Sequence, residues 1–237
     1  MTAPIDTSRA PLGVLAAQTL VSTVAEQGDL AERHYLELKS TLDLSTKKDK
    51  EKIAKFILGA ANRLPDVAAT AFEGYGVMII GVAHKSITGI PPVEMMEISK
   101  VIQQYVGAAG PRWDIVWVPI DGTDNQVLVV LVDPPRMGQG PFPCRSNGES
   151  LSDGRIYIRA DGETREAKSA PEQQAVSALR VSIQQEVRAQ EGRHGTEAVD
   201  GRDDHPRSFL SLNALANSRI RRGFEWMMLV TAMRLLL

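Results

Sequence analysis

The sequence predicts an α/β (α+β) fold: a mixed sheet with flanking helices, followed by a C-terminal helical tail. Three observations carry that prediction. Amphipathic helical segments alternate with short apolar runs through the first half of the chain. One of those runs, Val77 to Val82, is almost continuously apolar and bounded by glycines, as a strand buried on both faces requires. Further on, Asp114 to Ile120 and Val127 to Asp133 flank the polar turn Asp121-Gly122-Thr123-Asp124-Asn125, a hairpin signal. The resulting order, α-β-α-β-α-β-β-β-α, alternates first and then pairs antiparallel.

The elements follow in turn. Leu12 to Glu26 is Ala-rich, with Leu and Val at helical spacing, and ends at Gln27-Gly28-Asp29. Tyr35 to Leu38 reads as a strand whose alternation puts Leu36 and Leu38 on one face and Tyr35, Glu37 and Lys39 on the other. Ser45 is placed to cap a helix from Thr46 to Leu64, with Ile53, Ile57, Ala60, Ala61 and Leu64 as its apolar stripe. Pro65 to Phe72 reads as a loop or broken helix, and Ile87 to Pro92 as a turn. A helix over Val93 to Val106 then closes on Gly107 and Gly110. Pro134 to Leu151 reads as a long loop, Arg155 to Arg159 as a strand, Asp161-Gly162 as a turn, and Pro171 to about Gln190 as a helix. The domain boundaries expected are a leader and helix over 1–28, a main domain over 29–190, a polar linker over 191–206 and a basic, then apolar, helical tail over 207–237.

Composition narrows the function classes. The chain has 237 residues, 43% hydrophobic and 24% charged, an ordinary globular profile. Its net charge of −2 gives no global pull toward nucleic acid, so any such binding needs a local basic patch. Cys144 is the only cysteine, which excludes an internal disulfide and a zinc site built on cysteines. The start lacks a positively charged segment before an apolar run, so a cytoplasmic location is expected. Phe224 to Leu237 is too short to span a bilayer. The tail is expected to pack on its own domain or on a second copy as a homo-oligomer, with interfacial membrane association as the sharper alternative.

Candidate chemistry is scattered. Glu32 and Glu37 are two carboxylates that could hold Mg²⁺ or Mn²⁺, but five-residue spacing puts them on opposite faces of an ideal strand. They converge only where the chain bends near Glu32. Lys39 lies on the Glu37 face and suits a phosphate. Lys47, Lys48, Lys50, Lys52 and Lys55 make a dense basic helix, diluted by Asp49 and Glu51. Arg155, Tyr157 and Arg159 are expected on one strand face, and arginine forks suit phosphate. His84 follows the buried strand and is a candidate acid–base group. Gly74-Tyr75-Gly76 is no nucleotide loop, because no Gly-Lys-Ser/Thr follows it.

The order of these pieces resembles the Schlafen AlbA_2 domain family. The resemblance runs through Glu32, Glu37-Leu38-Lys39, Gly59-Ala60-Ala61-Asn62, Gly74-Tyr75-Gly76, Ile80-Gly81-Val82 and Tyr157-Ile158-Arg159-Ala160-Asp161-Gly162-Glu163-Thr164. It implies a DNA- or RNA-binding module, with Lys39, Lys48, Lys52, Arg155 and Arg159 contacting phosphates. It also implies an alternative, a metal-dependent endoribonuclease in which Glu32 and Glu37 hold the metal. The family's third acid falls at or near the end of the Ile-Gly-Val strand, where this chain has Ala83-His84-Lys85; His84 or an unidentified acid would complete that site. An insertion separates Asn62 from Gly74. A third reading is a non-catalytic adaptor working through the C-terminal tail.

Overall fold

The computed structural model describes residues 4–136, 139–160, 162–169 and 172. The chain divides into units Met1–Gln190 and Glu191–Leu237, the second wholly outside the described residues. The expected linker and tail lie there, and the helix expected from Pro171 falls almost entirely outside them too.

A four-stranded mixed sheet forms the centre. Its strands are β1 (Leu36–Lys39), β2 (Gly76–Ile80), β5 (Trp113–Pro119) and β6 (Gln126–Val132), in the order β1-β2-β6-β5. β1 runs parallel to β2, with Leu36 opposite Val77 and Lys39 opposite Ile80. β2–β6 and β6–β5 are antiparallel. Every side chain of β2 is buried, as the glycine-bounded apolar run predicts.

Each sheet face has its own helical cover. On one side α1 (Val14–Gln27) lays Ala17, Leu20, Val21, Val24 and Ala25 onto Leu36, Leu38, Val77, Ile79, Val127 and Val129. Those five positions recur at the spacing of one helix face. On the other side α2 (Lys47–Ala61) and α4 (Met95–Val106) cover Met78, Ile80, Leu128 and Val130. A short helix, α3 (Pro65–Ala68), lies in the insertion.

α2 is capped by Thr46, whose hydroxyl accepts from Asp49 N at 3.2 Å, and not by Ser45 as expected. Ser45 instead donates to Asp43, fixing the turn before the helix. The second half of α2 is buried all round, Phe56 through Ala61. That exceeds a one-sided stripe because a second layer covers its outer face: the hairpin β7 (Tyr157–Ala160) and β8 (Glu163–Glu166). Gly59 fits there because a Cβ would collide with Thr164.

One expectation changes. The strand expected to run to Val82 stops at Ile80. Gly81 sits at φ +100°, its carbonyl accepts from Thr88 N and Gly89 N, and a Cβ on it would lie 2.6 Å from Gly89 Cα. Only glycine is at ease in that conformation. The chain then makes a separate two-stranded ladder, β3 (Val82–Ala83) with β4 (Ser86–Ile87). The described residues of the Pro134 to Leu151 segment form the expected loop, pinned at its far end, where Cys144 and Leu151 enter the core and Gly148 N donates to Leu151 O.

Candidate nucleic-acid groove

The site is built on an edge. β1 has a sheet neighbour on one side alone, and an open strand edge needs protection. Side chains supply it. Arg33 and Leu36 exchange backbone hydrogen bonds of 3.1 and 3.2 Å, closing a tight turn. That turn folds Glu32 back along the strand, where its Oε1 accepts from Leu38 N at 2.9 Å. The bend that convergence of Glu32 and Glu37 requires is therefore present.

Arg159 takes the rest of the edge. Its side chain, on β7, is fully buried. Nη2 donates to Leu36 O at 3.0 Å and to Arg33 O at 3.3 Å. Nη1 meets Glu37 Oε2 at 2.6 Å, and the guanidinium lies 5.6 Å from the centre of the Phe56 ring. Lys39 Nζ takes the other oxygen of Glu37 at 2.9 Å. Alternation explains the grouping. Leu36 and Leu38 go to the α1 side, so Glu37 and Lys39 face α2 and the hairpin. Tyr35 does not join them: it precedes the strand and packs edge-on against Phe72 within the α1-side core.

A groove of about 480 Å³ opens between β1, α2 and the hairpin. That size falls within the roughly 300–1,000 Å³ typical of ligand clefts. Glu37, Lys39, Lys52, Lys55, Phe56 and Glu163 are in its wall. Lys52 is 44% exposed and pairs with Asp49 at 2.6 Å. Lys55 holds its amine 5.8 Å from the Tyr157 ring centre. Lys55 belongs to the basic helix read from the sequence but was not singled out there. Its place in the groove depends on the hairpin fold, which the sequence does not announce.

The other expected site residues lie elsewhere. Lys48 is exposed and pairs with Glu149 at 2.8 Å, which raises its pKa. Arg155 precedes β7 and is exposed, 3.5 Å from Glu166, whereas Tyr157 and Arg159 are buried. His84 forms the β3–β4 turn with Lys85 and packs against Gly28 at the end of α1, outside the groove.

The carboxylates do not fit a metal centre as arranged. Both oxygens of Glu37 are held by cations, and one oxygen of Glu32 accepts from a backbone N–H. Among the described residues no group of three His, Cys, Asp or Glu is placed to hold a metal ion.

Two polar clamps fix the walls. Asn62, at the end of α2, donates to Phe142 O and Tyr157 O at 2.9 Å and accepts from Phe142 N at 2.8 Å. Glu51 is 2% exposed and accepts from Glu149 N, Ser150 N, the Ser150 hydroxyl and the Tyr105 hydroxyl. Burial alone would raise its carboxyl, but the bonds from Ser150 and Glu149 outweigh that and hold it below the usual value. Burial and the Glu51 charge push the Tyr105 phenol up to about 12. Gly148 leaves room for Glu51, since a Cβ there would strike its carboxylate.

An α/β/α sandwich with a covering hairpin, a lysine-lined groove and an arginine-capped edge strand defines a small α/β module. The family model for Schlafen, AlbA_2 matches residues 32–168, more than half of the chain. The chain belongs to the Schlafen AlbA_2 family. No curated protein and no solved structure matches it significantly.

Proposed function

We propose that this chain is a nucleic-acid-binding module of Schlafen AlbA_2 type, and that the groove between β1, α2 and the β7–β8 hairpin receives the phosphate backbone. The observation that carries the reading is the convergence of Lys39, Lys52 and Lys55 on one 480 Å³ groove. Both ammoniums reach solvent, at 36% and 44% exposure, and Glu37 keeps Arg159 when Lys39 turns to a phosphate, so the exchange costs little. Lys48 and Arg155 extend the contact at the periphery. Arg159 is the positioning residue: buried and engaged with Glu37, it sets the strand edge and leaves phosphate contact to the lysines.

A metal-dependent endoribonuclease is the second reading, and one feature favours it. The Arg33–Leu36 turn brings Glu32 back beside the strand that carries Glu37. Cleavage would require Glu37 to leave Arg159 and Lys39.

Labelled tRNA and duplex DNA, each with Mn²⁺ and with EDTA, test both on paired native and denaturing gels. A native shift that fades with salt, without fragments, is expected. Fragments that need Mn²⁺ and vanish in Glu37→Gln would establish the nuclease. No shift even at low salt would overturn the binding reading.

A further inference from the structure

Arg63 is a second buried arginine, and unlike Arg159 it has no carboxylate partner among the described residues. It is 3% exposed at the end of α2, where the insertion begins. Nε donates to Ala60 O at 2.9 Å and Nη2 to Gly74 O at 2.7 Å. Nη1 is buried without a hydrogen-bond partner. Burial, with the Arg159 charge adding to it, takes the guanidinium down to about 10. A buried charge met by neutral carbonyls alone is expensive and calls for an anion.

The surroundings supply room for one. Arg63 is in the wall of a small cavity of about 10 Å³, large enough for about one water. Ala61, Pro135, Arg136 and Gln139 are shared with a neighbouring cavity of about 220 Å³. Arg136 and Arg112 line that larger space, and Asp133 is the one acid in its wall. Arg112 and Arg136 are exposed, and neither is in an ion pair among the described residues. Arg112 and Arg136 thus line the larger cavity with a single acid, and Arg63 lies in the wall of the small cavity beside it. Planar forks of this kind suit phosphate oxygens.

We propose that the paired cavities beside Arg63 form a phosphoryl-binding site, in which Arg136 and Arg112 hold a phosphate monoester from the solvent side and Arg63 Nη1 completes its coordination from within. The site lies on walls distinct from those of the lysine groove. It therefore stands or falls separately from the proposed function.

Titration of the full chain with inorganic phosphate, against chloride at matched ionic strength, reads the site by calorimetry and by the NMR signals of the arginine side chains. Saturable one-site binding is expected, with the Arg63 guanidinium signal moving. Arg136→Ala together with Arg112→Ala should weaken binding by roughly a hundredfold or more, since two charge-assisted contacts are lost. Both positions are exposed, so these variants keep the test open where Arg63→Met does not fold. Oligonucleotides bearing a 5′-phosphate or a 5′-hydroxyl identify the source. Displacement by the phosphorylated strand alone assigns the site to a strand end; displacement by neither assigns it to a small phosphate ester. Absence of saturable binding, or binding unchanged in the Arg136/Arg112 variant, overturns the proposal.

Discussion

Arg159 Nη1 and Glu37 Oε2 are 2.6 Å apart although 122 positions separate them in the chain. This contact ties the β7–β8 hairpin to the edge of the central sheet. It also fixes one wall of the groove, because Lys39 is held by the other oxygen of the same carboxylate.

Glu37→Ala strands the buried Arg159 guanidinium among carbonyls and should cost about 3–5 kcal/mol in urea unfolding. Arg159→Met leaves Glu37 paired with Lys39 and should cost less. The double variant should cost less than the sum of the two, because it leaves no lone charge. Arg159→Lys should behave like a loss, since an ammonium cannot span Glu37, Leu36 O and Arg33 O together. Additive losses in the double variant would contradict the pairing.

Glu51 should govern the acid limb of stability. Its folded-state carboxyl is lowered, so the folded state binds its proton less readily than the unfolded state. The contribution is fully present above the unfolded value of about 4.3 and is lost as pH falls through the lower folded value. Glu51→Gln sets an amide N–H₂ among donors from Ser150 and Glu149 and should cost about 1–3 kcal/mol at neutral pH. Unfolding curves from pH 7 to pH 3 should show a shallower acid loss in the variant. An identical acid slope would contradict the assignment.

Asn62 satisfies three backbone groups at once. Asn62→Ala should destabilise by about 2–4 kcal/mol, with two carbonyls and one N–H left unmet. Asn62→Asp should be worse at neutral pH, since it turns a carboxylate toward Phe142 O and Tyr157 O. Thermal melts at pH 7 of both variants check the order.

The layers of this fold are legible in the sequence because hydrophobic period is local. The Val77 run, the Ile53–Ile57–Ala60 stripe and the hairpin turn at 121–125 each announce themselves within a few residues. β8 does not, since Glu163-Thr164-Arg165-Glu166 carries no apolar alternation and is held by pairing to β7. The site was half legible. Glu37, Lys39 and Lys52 could be named from strand and helix phase. The burial of Arg159 could not, because its partners come from a segment more than a hundred residues earlier. Asn62 was visible as part of a family pattern, but its three bonds were not. Arg63 carries no signal in the sequence: it falls at the end of the helix expected over Thr46 to Leu64, off its apolar stripe.

The most direct test of the central claim is the salt dependence of nucleic-acid affinity in the wild type and in the Lys52→Ala/Lys55→Ala variant. Each phosphate contact contributes about 0.7–0.9 to the slope of log K against log salt. The variant should therefore bind more weakly, with a slope shallower by about 1.4–1.8. An unchanged slope and affinity would place the phosphate backbone somewhere other than this groove.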